Sequence, residues 1–425
     1  MLSNLLKSCL SYISLSVILN AISLLAVSLI TSVAHVRLRE RSHSTRPPRG
    51  FVKLGLGGPS NLEDENDPKY RSWQTSNEQA NGNVKALYIH PIKSCAAVEL
   101  DEAGVCPSGL VWDREFSFAE LLIPETRPDA SEEEKQPVWR FRTQRTPGYE
   151  NLALVRPELW FPRHKIGASP DEKSRAVMIV KYPLVFTGPL QRIYQLLQSA
   201  FLLPRERSFS VPLDTPEKEQ FATKDVVIWK DTPRWFDYGQ YLPSDLASFV
   251  GAENPFSLFR TDPSRYREVF RCAPRKEQLG YQPVVGFQDA YPLHLLSVAS
   301  VQDIGEKVKH AIPNFTARRF RANLIVVGGK EYDEDDWKRI QIGEVEYYCA
   351  CHTVRCKLPN VDPDTAVRDR FEPDRTLKKF RRIDAGDPTN ACLGMQLVPV
   401  QQHGKIRVGD DVRVLERGEH LYIKQ

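Results

Sequence analysis

Short runs in which every second residue is apolar dominate the chain from Val84 onward, and they predict strands rather than helices. "VKALYIHPIKSCAAVELDEAGV", "PSGLVWDREFSFAELL" and "EEKQPVWRFRTQRTPGYENLALVRPELWF" each read as strands separated by turns. Further on, "DVVIWKDTPRWFDYG" reads as a strand entering a loop, "AYPLHLLSVASVQDIGEKV" as a strand running into a helix, and "RRFRANLIVVGG" as a strand entered through a basic loop. "IQIGEVEYYCAC" supplies a hairpin arm, and "GKIRVGDDVRVLE" a closing hairpin around a Gly-Asp turn. Helical spacing is sparse; "GPLQRIYQLLQSAF" is one instance. The balance predicts a mainly β chain with some α structure, an α+β fold built around a barrel-like unit.

One stretch obeys neither period. From Ser8 to Val36 there is no Asp, Glu, Lys or Arg, and the run exceeds the roughly 20 residues that a helix needs to cross the hydrocarbon core. It predicts one transmembrane helix. Ser32-Val33-Ala34 resembles a signal-peptidase site, but the apolar run is too long for a signal peptide and only Lys7 precedes it. Arg37, Arg39, Arg41, Arg46 and Arg49 follow directly, which puts the large C-terminal part on the cytosolic side. The pattern divides the chain into a membrane anchor (1–36), a disordered basic and polar tether (37–82), a first β-barrel-type domain with an expanded insertion (83–264) and a second domain (265–418).

Composition narrows the class. The chain has 425 residues, 41% of them hydrophobic, enough to bury more than one core and too many for a disulfide-stapled scaffold. A net charge of +4 from 58 basic and 54 acidic residues gives no global field for nucleic acid, which is excluded as a partner. The eight cysteines lack framework spacing, as in a reducing compartment.

Candidate chemistry concentrates in "CACHTVRCKLPNVDPDT", Cys349 to Thr365. Alternation puts Val345, Tyr347, Cys349 and Cys351 on one strand face, so the first two cysteines are most simply core residues. Cys356 falls beyond the strand, between Arg355 and Lys357 and near His352, surroundings that favour a thiolate. A zinc site from Cys349, Cys351, His352 and Cys356 is the competing reading, although close neighbours on a strand suit tetrahedral closure poorly.

The segment "RRFRANLIVVGG…IGEVEYYCACHTVRCKLPNVDPDT…GKIRVGDDVRVLE" resembles the MOSC domain, the C-terminal module of molybdenum cofactor sulfurases. "ALYIHPIKSCAAVELDEAGV…GLVWDREFSF" resembles the N-terminal β-barrel domain that accompanies it, and the whole is similar to the membrane-anchored mitochondrial amidoxime-reducing components. The likeness runs from about Val84 to Leu415, with residues 148–221 poorly matched. It implies a MOSC β-barrel-like domain and a MOSC-associated N-terminal barrel behind one transmembrane helix.

The resemblance also implies a site. Molybdenum cofactor, Mo-molybdopterin, is the expected group, with its metal held by Cys356, where relatives read Cys-Ser-Arg-Cys and this chain reads "TVRC". Lys93 and Ser94 of "IKSC", Arg114 of "WDREF", Asp289 of "DAYP", Arg321 and Asn323 of "FRAN", and Arg355 are the expected cofactor-binding residues. Ala290 and Tyr291 replace two hydroxylated family residues, and "LGMQL" keeps Gly394 and Gln396 near their places. The implied activity is a molybdenum-dependent oxidoreductase that reduces small N-hydroxylated substrates, amidoximes or hydroxylamines. Electrons would come from cytochrome b5 and NADH-cytochrome b5 reductase, at the mitochondrial outer membrane. Family descriptions also mention pyridoxal phosphate, for which no lysine motif is found here. The competing classes are a sulfur-carrying or cofactor-binding module without reductase activity, and a membrane-tethered binding protein.

Overall fold

The structure is a computed structural model that describes residues 15–41, 44–71, 73, 75, 77, 79–123, 136–169, 174–186, 188–189, 191–217 and 220–423. Lys7 and the first part of the expected anchor lie outside these residues. The chain forms two compact units, one of residues 1–46 with 182–209, the other of 47–181 with 210–425.

In the larger unit the alternating runs become two barrels. β2 (Gly82–Ile89), β16 (Leu293–Ser297), β17 (Leu324–Val327), β18 (Trp337–Ile342), β19 (Val345–Arg355), β20 (Ala391–Pro399) and β22 (Asp411–Arg417) follow the order β17-β16-β20-β19-β18-β22-β2, and β2 pairs back onto β17 to close the ring. β3 (Val98–Leu100) adds to β2 outside it. The second barrel is β11 (Thr223–Val227), β12 (Arg234–Asp237), β13 (Phe256–Arg260), β6 (Phe116–Leu122) and β7 (Val138–Phe141), closed by the parallel β11–β7 pair. Its core holds Trp235, Phe259, Val226 and Phe287. β4 (Glu102–Cys106), β5 (Gly109–Leu110) and β21 (Gly404–Arg407) form a small sheet, and β1 (Phe51–Lys53) and β9 (Val177–Pro183) flank β8 (Arg156–Pro162) in another. The amphipathic helix α3 (Val298–Val308) packs Val298, Val301, Ile304 and Val308 against β17 and β2, in a core that also holds Phe315 and Phe320.

The fold class expected from the sequence is observed: mostly β, few helices, two barrels and one long apolar N-terminal helix. Three expectations are corrected. The supposed tether is ordered over much of its length: Leu62 and Tyr70 enter the α3 core, Phe51–Lys53 pairs with β8, and Glu65 accepts a hydrogen bond from Ala317 N at 2.9 Å. Its few apolar side chains sit at irregular spacing, so no period betrays them. The two expected domains do not split at a sequence boundary either, because β2 and β3 precede the second barrel in sequence yet lie in the first. Finally, "GKIRVGDDVRVLE" forms the Gly-Asp turn without a hairpin. Arg407 N donates to the Asp410 carboxylate at 2.8 Å, but β21 pairs with β4 while β22 pairs with β18 and β2, each arm burying its own apolar side chain in a different sheet.

The smaller unit holds α1 (Leu15–Arg41) and α2 (Gln191–Ser199); the chain leaves the larger unit through β9 and returns through β10 (Glu206–Pro212). Within α1, Val17–Leu38 is long and apolar enough to cross a membrane, and none of its most apolar window is buried.

Candidate active site

The loops at one end of the closed ring enclose a cavity of about 850 Å³, and all eight residues singled out from the sequence line it. Nine lysines and arginines face three aspartates around its wall. Such a chamber selects for a multiply charged anion.

Lys93 and Ser94 come from the turn after β2. The Lys93 side chain is 6% exposed, and its Nζ donates to Phe287 O at 2.6 Å and to the Asp289 carboxylate. Burial pushes its pKa down to about 8, against the pull of Asp289 in the opposite direction. The Asp289 carboxylate faces the chamber; loss of water would raise its pKa, and Lys93, Arg114 and Arg145 outweigh that and hold it low.

Arg114 and Arg321 both adopt left-handed backbone angles, φ 54° and 55°, which turn their side chains inward from tight corners. Arg114 donates to Asp113, to Asn323 Oδ1 at 3.2 Å and to Arg321 O at 3.0 Å. Arg321 donates through Nη1 to Cys95 O at 2.6 Å, while its buried Nη2 has no partner among the described residues. Burial, then the neighbouring Arg114, lowers its pKa to about 9. Asn323 has both ends of its amide engaged within the chain. Its Oδ1 also accepts from His294 N at 3.2 Å and its Nδ2 donates to Tyr88 O at 3.1 Å, so it braces Arg114 instead of presenting its amide.

β19 delivers the thiol. Val345, Tyr347, Cys349 and Cys351 are buried as the alternation predicts, and bulges against β20 between Cys349 and Cys351 and between His352 and Val354 then re-aim the strand. As a result Thr353 and Arg355 turn inward and Cys356 emerges exposed into the chamber. Arg355 stacks 5.0 Å over the Phe320 ring and donates to Phe320 O at 3.2 Å, leaving Nε buried and unpartnered; burial lowers its pKa to about 10. Behind it His294 is kept neutral by burial and by the charges of Arg355 and Arg114. Gly394 in β20 has φ +78°, and a Cβ there would stand 2.3 Å from Leu295 O and 2.8 Å from His294 Nε2, so only glycine lets the strands approach at this point.

The zinc reading fails on geometry. Cys349 and Cys351 are core residues and Cys356 opens the other way, while His352 joins Asp384 and Cys392 in a buried group. His352 already has Nδ1 on Asp384 at 2.7 Å and Nε2 on Asp335 O at 3.1 Å, which leaves no ring nitrogen for a metal.

Sequence reasoning missed Arg145, Arg368 and Trp229, which line the chamber from the second barrel and the loop after β19. Arg145 lies 4.6 Å over the Trp229 ring, and Arg368 is held by Glu150 at 2.7 Å. The "TQRTPGY" turn that carries Arg145 has no signal of its own. At the mouth, α4 (Asp374–Phe380) and its flanks show Lys357, Arg370, Lys379 and Arg382 around Phe371, which is 49% exposed.

Comparison with known proteins agrees with this architecture. Residues 282–413 match the MOSC domain and residues 81–122 the MOSC N-terminal beta barrel domain. A mitochondrial amidoxime reducing component 2 of Macaca fascicularis is 34% identical over 335 residues, 78% of this chain and 83% of that protein. The chain belongs to the mitochondrial amidoxime-reducing component family. Component 1 of Mus musculus is 37% identical over 136 residues, and component 1 of Homo sapiens 31% over 186. Those matches span 38% of the mouse protein and 52% of the human one. The match to the MOSC domain takes in every strand from β16 to β21 and the thiol of Cys356, and the match to the MOSC N-terminal beta barrel domain ends at Leu122, the last residue of β6.

The chamber fits a molybdopterin. Arg321 Nη2 and Arg355 Nε, unpartnered among the described residues, are buried charged donors that want an anion, Thr353 adds a buried hydroxyl in the same state, and Cys356 offers a soft donor at the rim.

Proposed function

We propose that the chain is a membrane-anchored, molybdenum cofactor-dependent reductase of small N-hydroxylated compounds, amidoximes and hydroxylamines. The observation that carries this reading is an exposed thiol, Cys356, at the edge of a chamber in which buried arginine N–H groups lack partners. When bound, the molybdenum cofactor supplies two-electron reduction of the N–OH group, with the oxygen leaving as water. Cys356 Sγ is the protein's ligand to the metal. Arg321 and Arg355 direct N–H groups at the anionic side of the cofactor, and Arg114, braced by Asn323 and Asp113, fixes the corner that carries Arg321. Ser94 lines the wall beside them. Lys93 holds its proton on Nζ against Asp289 and adds a positive charge with a buried, rigid setting.

Cytochrome b5, itself reduced by NADH-cytochrome b5 reductase, serves as electron donor in this reading. Lys357 and Arg370 border the same chamber as Cys356 and continue, with Lys379 and Arg382, into the adjacent groove, where a seated partner would present carboxylates. α1 anchors the protein in the mitochondrial outer membrane, with residues after Leu38 on the cytosolic side.

The test uses full-length protein purified in detergent from a cofactor-competent host. Molybdenum near one per chain, benzamidoxime reduction with NADH, cytochrome b5 and its reductase, and loss of both in Cys356→Ala are expected. Protein free of molybdenum would overturn the assignment, and reductant-labile sulfur on Cys356 in such protein would mark a sulfur carrier instead.

A further inference from the structure

The smaller unit carries an apolar surface that α1 alone does not explain. No residue of α2 is buried. Ile193 and Leu196 of α2 are 50% and 69% exposed, and Phe201 in the following loop is 75% exposed. An apolar cluster of this kind is costly in water.

Its position is fixed by the end of α1. Arg37 donates through Nε to Leu202 O and through Nη2 to Phe201 O at 3.0 Å. One helical turn further on, the buried Glu40 carboxylate grips Arg207 through two hydrogen bonds of 2.6 Å, and Thr45 N donates to Ser208 Oγ at 2.7 Å. The apolar span Val17–Leu38 has 22 residues, which at ~1.5 Å per residue is close to the ~30 Å of a hydrocarbon core. Arg37, at the end of that span, therefore stands at the hydrocarbon boundary, and it holds the Phe201–Leu202 backbone at the same depth.

We infer that α2 and the loop after it are a second membrane contact, lying in the headgroup region beside the point where α1 leaves the bilayer. The inference rests on the reading of α1 as a membrane span. Polar groups of the element suit that depth. Arg205 stacks 4.2 Å over the Phe201 ring and donates to Gln198 O at 2.9 Å and Ser199 O at 3.1 Å, satisfying the end of α2 while its guanidinium stays within reach of lipid phosphate. Ile193, Leu196 and Phe201 supply the apolar groups, and Arg192, one helical turn before Leu196 on the same face, adds an exposed cation beside them. A second contact converts a helix that can swivel into a two-point attachment.

The experiment reconstitutes the full chain in phosphatidylcholine vesicles, with one fluorescent amino acid in place of Leu24, Leu196 or Phe201, all exposed side chains whose replacement leaves the core untouched. Quenching by nitroxide lipids labelled at the headgroup or deep in the acyl chain reports depth. The expected result is severalfold stronger deep quenching at position 24 and strong shallow quenching at 196 and 201. Quenching at 24 with none at 196 and 201 overturns this inference and leaves the anchor standing, whether the apolar patch then faces water or a protein. Absence of quenching at 24 overturns the anchor and the inference with it.

Discussion

Lys93 is an ammonium held in a place that disfavours its charge, and the cost can be read from pH. Its folded pKa of about 8 lies below the ordinary 10.5, so the unfolded chain binds this proton more tightly than the folded one. A depressed basic group penalises folding at low pH, and stability returns as pH rises through 8 toward 10.5. Linkage with these two values gives a penalty of ~3.3 kcal/mol at pH 7 and ~0.8 kcal/mol at pH 10. Lys93→Met removes the proton site. It also removes the bond to Phe287 O and the partner of Asp289, costs that do not titrate over this range. Urea unfolding of cofactor-free protein and variant at both pH values should therefore show the difference between them changing by ~2.5 kcal/mol, the variant gaining relative to wild type at pH 7. Other groups that titrate are common to both proteins and cancel. Two stability curves that stay parallel within ~0.5 kcal/mol would refute the claim that the chamber holds a strained charge in reserve for an anion.

Cys356→Ser leaves an exposed side chain of similar size, so its Tm should stay within ~1 °C of wild type while molybdenum retained through gel filtration drops at least tenfold. Asn323→Leu breaks bonds to Tyr88, His294 and Arg114 at a site 1% exposed; a loss of ~2–4 kcal/mol in urea unfolding is expected. Gly394→Ala puts a Cβ onto Leu295 O at φ +78° and should cost ~3 kcal/mol by thermal unfolding. A Lys379→Glu, Arg382→Glu double variant should raise the KM for cytochrome b5 at low salt and leave the rate with a small chemical reductant unchanged, with the gap closing at high ionic strength.

The β character of the chain and the inward face of β19 through Cys351 were legible because alternation is local. Beyond Cys351 the two bulges break the period, and inward-facing Thr353 and Arg355 follow from pairing with β20, which no window of β19 contains. The chamber's residue types were legible only through family motifs, since Lys93, Arg114 and Arg321 meet from positions far apart in the chain. Arg145 belonged to no motif and went unseen. Leu62 and Tyr70 were hidden for a different reason: a segment that fills a core with two side chains and caps its neighbours with carbonyls, as Glu65 O and Asp67 O do for Gln302, has the composition of a linker.

The placement of β2 between β17 and β22 sets an order on biosynthesis. The smaller barrel has all its strands once Arg260 has left the ribosome, and it can close while the chain is still being made. The ring that bears Cys356 must instead keep β2 waiting until β22, over 300 residues later, arrives to complete it. Until then a strand edge and the α3 core stand open to water, which makes the nascent chain, more than the finished protein, the form that needs a chaperone.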